Sequence, residues 1–249
     1  MFAEIERGML EETDYVNEGR NIDFYREQLK LHDDVRIPVV HWDLSTDRIL
    51  TMSFIAGEPI SDFLADTRPL QEVCNRIGVR LVELFHLQIH RLRTLHADPH
   101  PGNYLIDASG TIGLVDFGCV KKFSAGFIEI MRAFEERVWL RGEEERLRMA
   151  RLIWGPEILK KPRLALEQLK TAVNFYEMLF PGLSGNGRVV NFGDAKILKA
   201  MFGIFNDNLR HKTVNPEFAF YARAEMGLYN LLHLLRAKID TSAVLEKFE

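Results

Sequence analysis

Cysteine, long apolar runs, an excess of basic charge and phosphate-binding glycine loops are all scarce or missing here, and each shortage removes a class of function. Two cysteines, Cys74 and Cys119, allow at most one bridge, which excludes a disulfide scaffold. Met1-Phe2-Ala3-Glu4-Ile5-Glu6 lacks the basic start and apolar run of a signal peptide, so reduced thiols and a cytoplasmic setting are expected. The most apolar stretch, Phe218 to Ile239, is broken by Arg223, Glu225, Arg236 and Lys238. A spanning helix needs about 20 nearly uncharged residues, so none is expected, although peripheral contact with a membrane surface is compatible with the sequence. With 32 basic and 36 acidic residues the net charge is −4, and no broad basic field offers itself to nucleic acid. Pro181 to Arg188 carries three glycines but has no preceding strand and no following Lys-Ser/Thr, so it reads as a connector.

What is present suffices for a sizeable core. The 249 residues are 47% hydrophobic and 27% charged, a balance that excludes disorder and allows one core or a core with a small appended lobe. Chemistry concentrates in His96-Ala97-Asp98-Pro99-His100-Pro101-Gly102-Asn103 and, after a short apolar interval, Val115-Asp116-Phe117-Gly118. Pro99 and Pro101 fix φ and Gly102 permits a close turn, so the first segment is a stiff loop. Tyr104–Asp107, Ala108–Thr111 and Ile112–Val115 read as strand, turn and strand between the two segments. Asp98 and Asn103, separated as Asp-x-x-x-x-Asn, with Asp116-Phe117-Gly118 beyond a hairpin, form the pattern used for phosphoryl transfer in the protein-kinase superfamily. A triphosphate demands hard cations, which want oxygen ligands, and Asn103 and Asp116 supply them. Asp98 is placed to orient the attacking hydroxyl or water and accept its proton.

The rest of the chain is mainly helical. About Ala3 to Leu31 reads as one helix, whose Glu12 and Asp14 weigh equally as a solvated face and as functional groups. Arg36–Trp42 and Arg48–Phe54 read as paired strands, followed by a hinge at Ile55–Pro59. Ser61 is expected to cap a short helix, and Leu70 to Leu95 to form one long amphipathic helix. His86 and His90 stand four apart on it, but with no third ligand in view a packing or surface role is preferred over a metal pair. His96 and His100 are expected to order the loop by hydrogen bonds rather than to hold metal. Further helices are expected over Ser124–Leu140, Glu143–Trp154, Pro162–Leu179, Asp194–Asn208 and Pro216–Ala237.

His-Ala-Asp-Pro-His-Pro-Gly-Asn with a later Val-Asp-Phe-Gly resembles the UbiB/AarF atypical kinases, which are tied to ubiquinone biosynthesis and quinone-lipid homeostasis. Glu12-Thr13-Asp14-Tyr15-Val16-Asn17-Glu18-Gly19-Arg20-Asn21 resembles the Glu-x-Asp-Tyr-x-x-Glu-Ala-x-Asn helix of the same family. The likeness runs from Glu12 to about Phe123 and is less specific beyond. It implies an α+β, protein-kinase-like fold with a truncated small lobe (1–57: helix, strand pair, hinge) and a predominantly helical large lobe (58–249). It implies Mg-ATP as cofactor, with Glu18, Phe54, Gly57, Asn103 and Asp116 at the nucleotide, Asn103 and Asp116 on Mg2+, and adenine bonded to backbone near Phe54 to Gly57. Upstream, the family carries a Lys-x-Gly-Gln segment, an Ala-rich nucleotide loop and a strand lysine that pairs with the helix glutamate. None of these is in this sequence, so Glu18 lacks its expected lysine, and a truncated, split or degenerate family member is expected. There is no Ala-Pro-Glu after Asp-Phe-Gly, which argues against an ordinary protein-substrate kinase. The expected activity is ATP hydrolysis or phosphoryl transfer on or near an isoprenoid quinone-type lipid. The alternatives are an inactive pseudokinase-like scaffold, a module completed by a separately encoded small lobe, and an aminoglycoside- or choline-type small-molecule kinase.

Overall fold

The computed structural model describes residues 14–181, 189–200, 202–203 and 216–248. Residues 1–13, with Glu12, and 182–188, most of the glycine-bearing connector, lie outside that set. The first described helix, α1 (Tyr15–Gln28), begins where Asp14 accepts a hydrogen bond from the Asn17 amide at 2.9 Å, so Asp14 is its N-cap. One face of α1 carries Ile22 and Tyr25 fully into the core. The Tyr25 hydroxyl lies 2.8 Å from Gln88 Oε1 and 3.2 Å from the Thr94 carbonyl, which supplies the partner that a buried phenol requires.

A four-stranded sheet follows, ordered β1-β5-β4-β2, from β1 (Val35–Arg36), β2 (Glu58–Pro59), β4 (Tyr104–Ile106) and β5 (Ile112–Leu114). β1 runs parallel to β5 and the other pairs are antiparallel. The β4–β5 hairpin is the strand, turn and strand expected from the sequence, its turn tied by Asp107 Oδ1 accepting from the Ser109 and Thr111 amides. Between β2 and β4 lie α2 (Ile60–Asp66), α3 (Gln71–Leu87) and β3 (Thr94–His96). β3 pairs antiparallel with β6 (Val120–Lys122). The helical half comprises α4 (Ala125–Glu135), α5 (Glu143–Trp154), α6 (Pro162–Leu179) and α7 (Pro216–Leu234), with β7 (Val190–Asn191), β8 (Lys238–Ile239) and α8 (Thr241–Leu245) near its end. One apolar core joins α1, the sheet, α3, α7 and α8, and a second lies among α4, α5 and α6.

Several expectations need correction. The proposed strand pair over Arg36–Trp42 and Arg48–Phe54 reduces to a single antiparallel bridge, Val40 with Met52. Trp42–Leu44 folds instead into a 3-10 turn, and Trp42 Nε1 donates to Asp23 on α1 at 2.7 Å. A Cβ at Gly19 would lie 2.6 Å from the Trp42 ring, so this approach needs a glycine. Ser61 does not cap: α2 starts one residue earlier behind Pro59, and the Ser61 hydroxyl turns to Asp62. The helix expected to reach Leu95 ends in a π turn over Gln88–Leu92, with Arg93 left-handed at φ 51°, because Thr94–His96 is claimed by pairing with β6. Ser124 does cap α4, accepting from the Phe127 amide, but the helix stops at Glu135 rather than Leu140. Arg137 at φ 49° there turns the chain into a 3-10 segment that brings Trp139 beside Phe134. α5 and α6 match their expected bounds, and α7 ends three residues early, with Arg236 left-handed ahead of β8. Of the helix expected over Asp194–Asn208, residues 195–200 and 202–203 are helical and the remainder of its later part lies outside the described set.

α7 carries a buried acid, Glu225, which accepts from Tyr221 at 3.1 Å and Tyr229 at 2.8 Å. Burial raises its pKa from 4.5 to about 7, against the lowering effect of the two hydroxyls. The stability from the protonated form is therefore full below about pH 4.5 and lost as pH rises through about 7. Glu225→Gln keeps an acceptor and carries no charge. It should match the native chain near pH 5 and exceed its stability at pH 8 by about 2–3 kcal/mol in urea titrations.

Candidate functional site

The candidate site is built where β3, the following loop, the β4–β5 hairpin and the Asp-Phe-Gly turn meet the inner face of α1. Phe117 is wholly buried and packs on Tyr25 and His96, with ring centroids 5.1 and 5.2 Å away. Its backbone is held from both sides by α1. The Phe117 amide donates to Glu18 Oε1 at 3.1 Å, and Asn21 Nδ2 donates to the Phe117 carbonyl at 2.9 Å. Burial raises the Glu18 pKa, the Phe117 amide lowers it, and nearby Asp116 raises it again. Glu18 thus faces the Asp-Phe-Gly turn directly.

Asp116 sits at φ 63°, a left-handed conformation that Asp tolerates better than most residues. The turn is braced by His96, whose Nε2 lies 2.6 Å from the Asp116 carbonyl. A carbonyl only accepts, so Nε2 carries the proton. Burial lowers the His96 pKa, which keeps the ring neutral, while Asp98 and Asp116 both pull the other way and so both lie near it. Asp116 Oδ1 accepts from the Gly118 amide at 3.2 Å, and the Asn103 carbonyl accepts from the Val115 amide at 3.1 Å.

The loop is closed by short-range hydrogen bonds. His100 Nδ1 accepts from the Gly102 amide at 3.1 Å, closing a 3-10 turn over Pro101–Asn103. His96 and His100 are both loop-ordering partners, in keeping with the sequence reading. Asn103 is buried, and its Nδ2 donates to Asp98 Oδ2 at 2.7 Å, which turns the amide oxygen away from Asp98. Asp98 Oδ1 accepts from Arg223 Nη2 of α7 at 2.9 Å. Each carboxylate oxygen of Asp98 has one donor and keeps lone-pair capacity for another.

The structure therefore gathers Asp98, Asn103, Asp116, His96 and Glu18 in one place. Phe54 stands apart, with 88% of its surface exposed. Gly57, at φ 146°, allows β2 close to β4, where a Cβ would lie 3.1 Å from the Ile106 backbone. A cleft of about 850 Å³ opens beside Gly57, between Phe63, Val73 and Gly110; Asp98, Asn103 and Asp116 are not among its lining residues.

Three contributors escaped the sequence reading. Asn21 lies inside the helix motif and was available to it. Arg223 was visible only as a charge interrupting an apolar stretch. Gly227 gave no signal, yet a Cβ there would lie 1.6 Å from Pro99, so α7 presses directly on the residue after Asp98.

The order of helix, hinge, long helix, loop, hairpin and Asp-Phe-Gly defines the protein-kinase-like fold. In agreement, the Mycobacterium tuberculosis protein Rv3197, solved with erythromycin, superimposes with a TM-score of 0.64 at 18% identity over 96% of this chain and 58% of its own. The ABC1 atypical kinase-like domain matches residues 1–148, and the chain belongs to that family, the UbiB/AarF group. Activity of BC1 Complex Kinase 7, a chloroplast protein of Arabidopsis thaliana, is 38% identical over 112 residues, 44% of this chain and 16% of that protein. The mouse AarF domain-containing protein kinase 1 is 31% identical over 134 residues, 51% of this chain and 25% of that protein. The chain thus spans a quarter or less of the length of these relatives.

Gly227→Ala tests the contact of α7 with the loop. Helix propensity favours Ala by about 1 kcal/mol, but overpacking of this severity costs about 2–3 kcal/mol or more. A net loss of stability is expected in urea titrations, with amide shifts around Pro99 and Asp98 in NMR spectra.

Proposed function

We propose that this chain is the catalytic portion of a UbiB/AarF-type atypical kinase that binds Mg-ATP and hydrolyses it or transfers its phosphoryl group. The observation that carries the reading is the gathering of Asp98, Asn103 and Asp116 around one buried histidine, His96. The donor set fits a hard cation. Asn103, its amide nitrogen engaged by Asp98, offers an oxygen, and Asp116 offers a carboxylate one residue after Val115, whose amide bonds the Asn103 carbonyl. Mg2+, when bound there, supplies charge neutralisation for the phosphates. Asp98, held by Asn103 and Arg223, orients the acceptor hydroxyl or water and takes its proton. Residues 1–57 act as small-lobe sequence and 58–249 as the large lobe, with Phe54 to Gly57 as the adenine-facing hinge. The acceptor is an isoprenoid quinone-type lipid or a group near it, met at a membrane surface; among the described residues no helix is long and apolar enough to cross a membrane.

One observation favours a second reading. Glu18 gives a carboxylate oxygen to the Phe117 amide, a bracing role at the Asp-Phe-Gly turn. A scaffold without turnover, or a lobe completed by a separately encoded partner, shares the same clamp.

Calorimetric titration of Mg-ATP into the 249-residue chain, with Asp116→Asn as control, separates them. Magnesium-dependent binding that the control loses by about tenfold or more supports the first reading. Its ATPase turnover should then fall by about 100-fold or more in Asp98→Asn. A folded chain that binds nothing supports the second, and co-purification with a partner bearing Lys-x-Gly-Gln identifies the split form. Phosphorylation of an aminoglycoside or choline in a substrate panel would redirect the assignment to small-molecule kinases.

A further inference from the structure

His86, near the end of α3, and His90, in the π turn that follows it, gain in three dimensions the third ligand that the sequence did not reveal. Glu135, the last residue of α4, brings Oε1 to 2.8 Å from His90 Nε2, and His86 Nδ1 lies 3.4 Å from the same nitrogen. The three donor atoms all lie within 4.8 Å of one another. The expectation of a mere packing role for the two histidines rested on the lack of such a partner.

Hydrogen bonding alone does not satisfy this cluster. His90 Nε2 carries at most one proton. If it donates to Glu135, the His86 nitrogen faces a donor already spent. If His86 donates to it instead, Glu135 faces a lone pair. A cation accepts all three lone pairs at once. In a tetrahedral site with bonds of about 2.0–2.1 Å, ligand atoms stand about 3.3 Å apart, close to the observed nitrogen separation. The imidazole planes lie within 8° of parallel, so one ring must rotate about its Cβ–Cγ bond to aim both lone pairs at one cation. The rings of Phe180 and Phe248 close over the pair. His86 and the His90 side chain are each only 8% exposed, which shields their lone pairs from competing water.

We propose that His86, His90 and Glu135 form a binding site for a zinc-class divalent cation, separate from the oxygen-ligand site of Asn103 and Asp116. Two imidazoles and one carboxylate suit a borderline cation such as Zn2+ and are poor company for Mg2+, which favours oxygen. Three protein ligands leave a fourth position for water. The cation pins the π turn over Gln88–Leu92 to the end of α4. It thereby fastens the element that delivers the chain to β3 and His96 to the helix that follows β6, on either side of the candidate loop.

The test is titration of ZnCl2 into the chelator-stripped 249-residue chain, by calorimetry and by thermal unfolding, with CoCl2 as a spectroscopic probe. One equivalent of Zn2+ should bind at about micromolar affinity or tighter, raise Tm, and give the visible absorption of low-coordinate cobalt. Mg2+ at the same concentrations should not displace the bound Zn2+. Glu135→Gln, at the half-buried edge of the cluster, is expected to fold and to weaken Zn2+ by about tenfold or more, as should His90→Ala. Asp116→Asn should leave the Zn2+ isotherm unchanged. The proposal is overturned if the folded native chain takes up no saturable Zn2+, if folded Glu135→Gln binds it as the native chain does, or if Asp116→Asn abolishes it.

Discussion

Two hydrogen bonds to one buried residue hold the site together. The amide and carbonyl of Phe117 are met by Glu18 and Asn21, one turn apart on α1, while its ring fills the space between Tyr25 and His96. An amide and a carbonyl so deeply placed need partners, and leaving either without one costs about 1–3 kcal/mol. Meeting both from a single rigid helix fixes the turn that points Asp116. The left-handed Asp116 then makes its own carbonyl available to His96, which ties the turn to β3.

From that clamp the remaining geometry follows outward. Gln88 accepts from the His96 amide and from Tyr25, so the end of α3, the start of the loop and α1 share one buried side chain. α7 closes the opposite side, with Arg223 on Asp98 and Gly227 against Pro99. The electrostatic pattern is consistent with this layout. Burial pushes Glu18 up and His96 down, which disfavours charge on both.

Much of the fold was legible because it is set locally. The β4–β5 hairpin has its turn chemistry in Asp107 to Gly110, and α5 and α6 have their breaks at Gly142, Gly155 and Pro162. The loop histidines could be read as well, since His100 bonds only two residues away. Failures came where a distant segment overrode a local preference. Residues 70–95 have helical periodicity to the end, but β6 claims Thr94–His96 as a strand. Residues 36–54 have strand-like composition, but Trp42 turns instead to Gly19 and Asp23 on α1.

By itself the sequence determined the kinase-like class, the loop carrying Asp98 and Asn103, and Asp116, because spacing within a stiff loop and across a short hairpin is a local property of the chain. Tertiary structure alone decided that Glu18 serves the Phe117 amide, that Arg223 reaches Asp98 across 125 positions, and that Glu135 joins His86 and His90. Those pairings depend on how helices far apart in sequence pack around one core, and no periodicity or motif along a single chain encodes that distance.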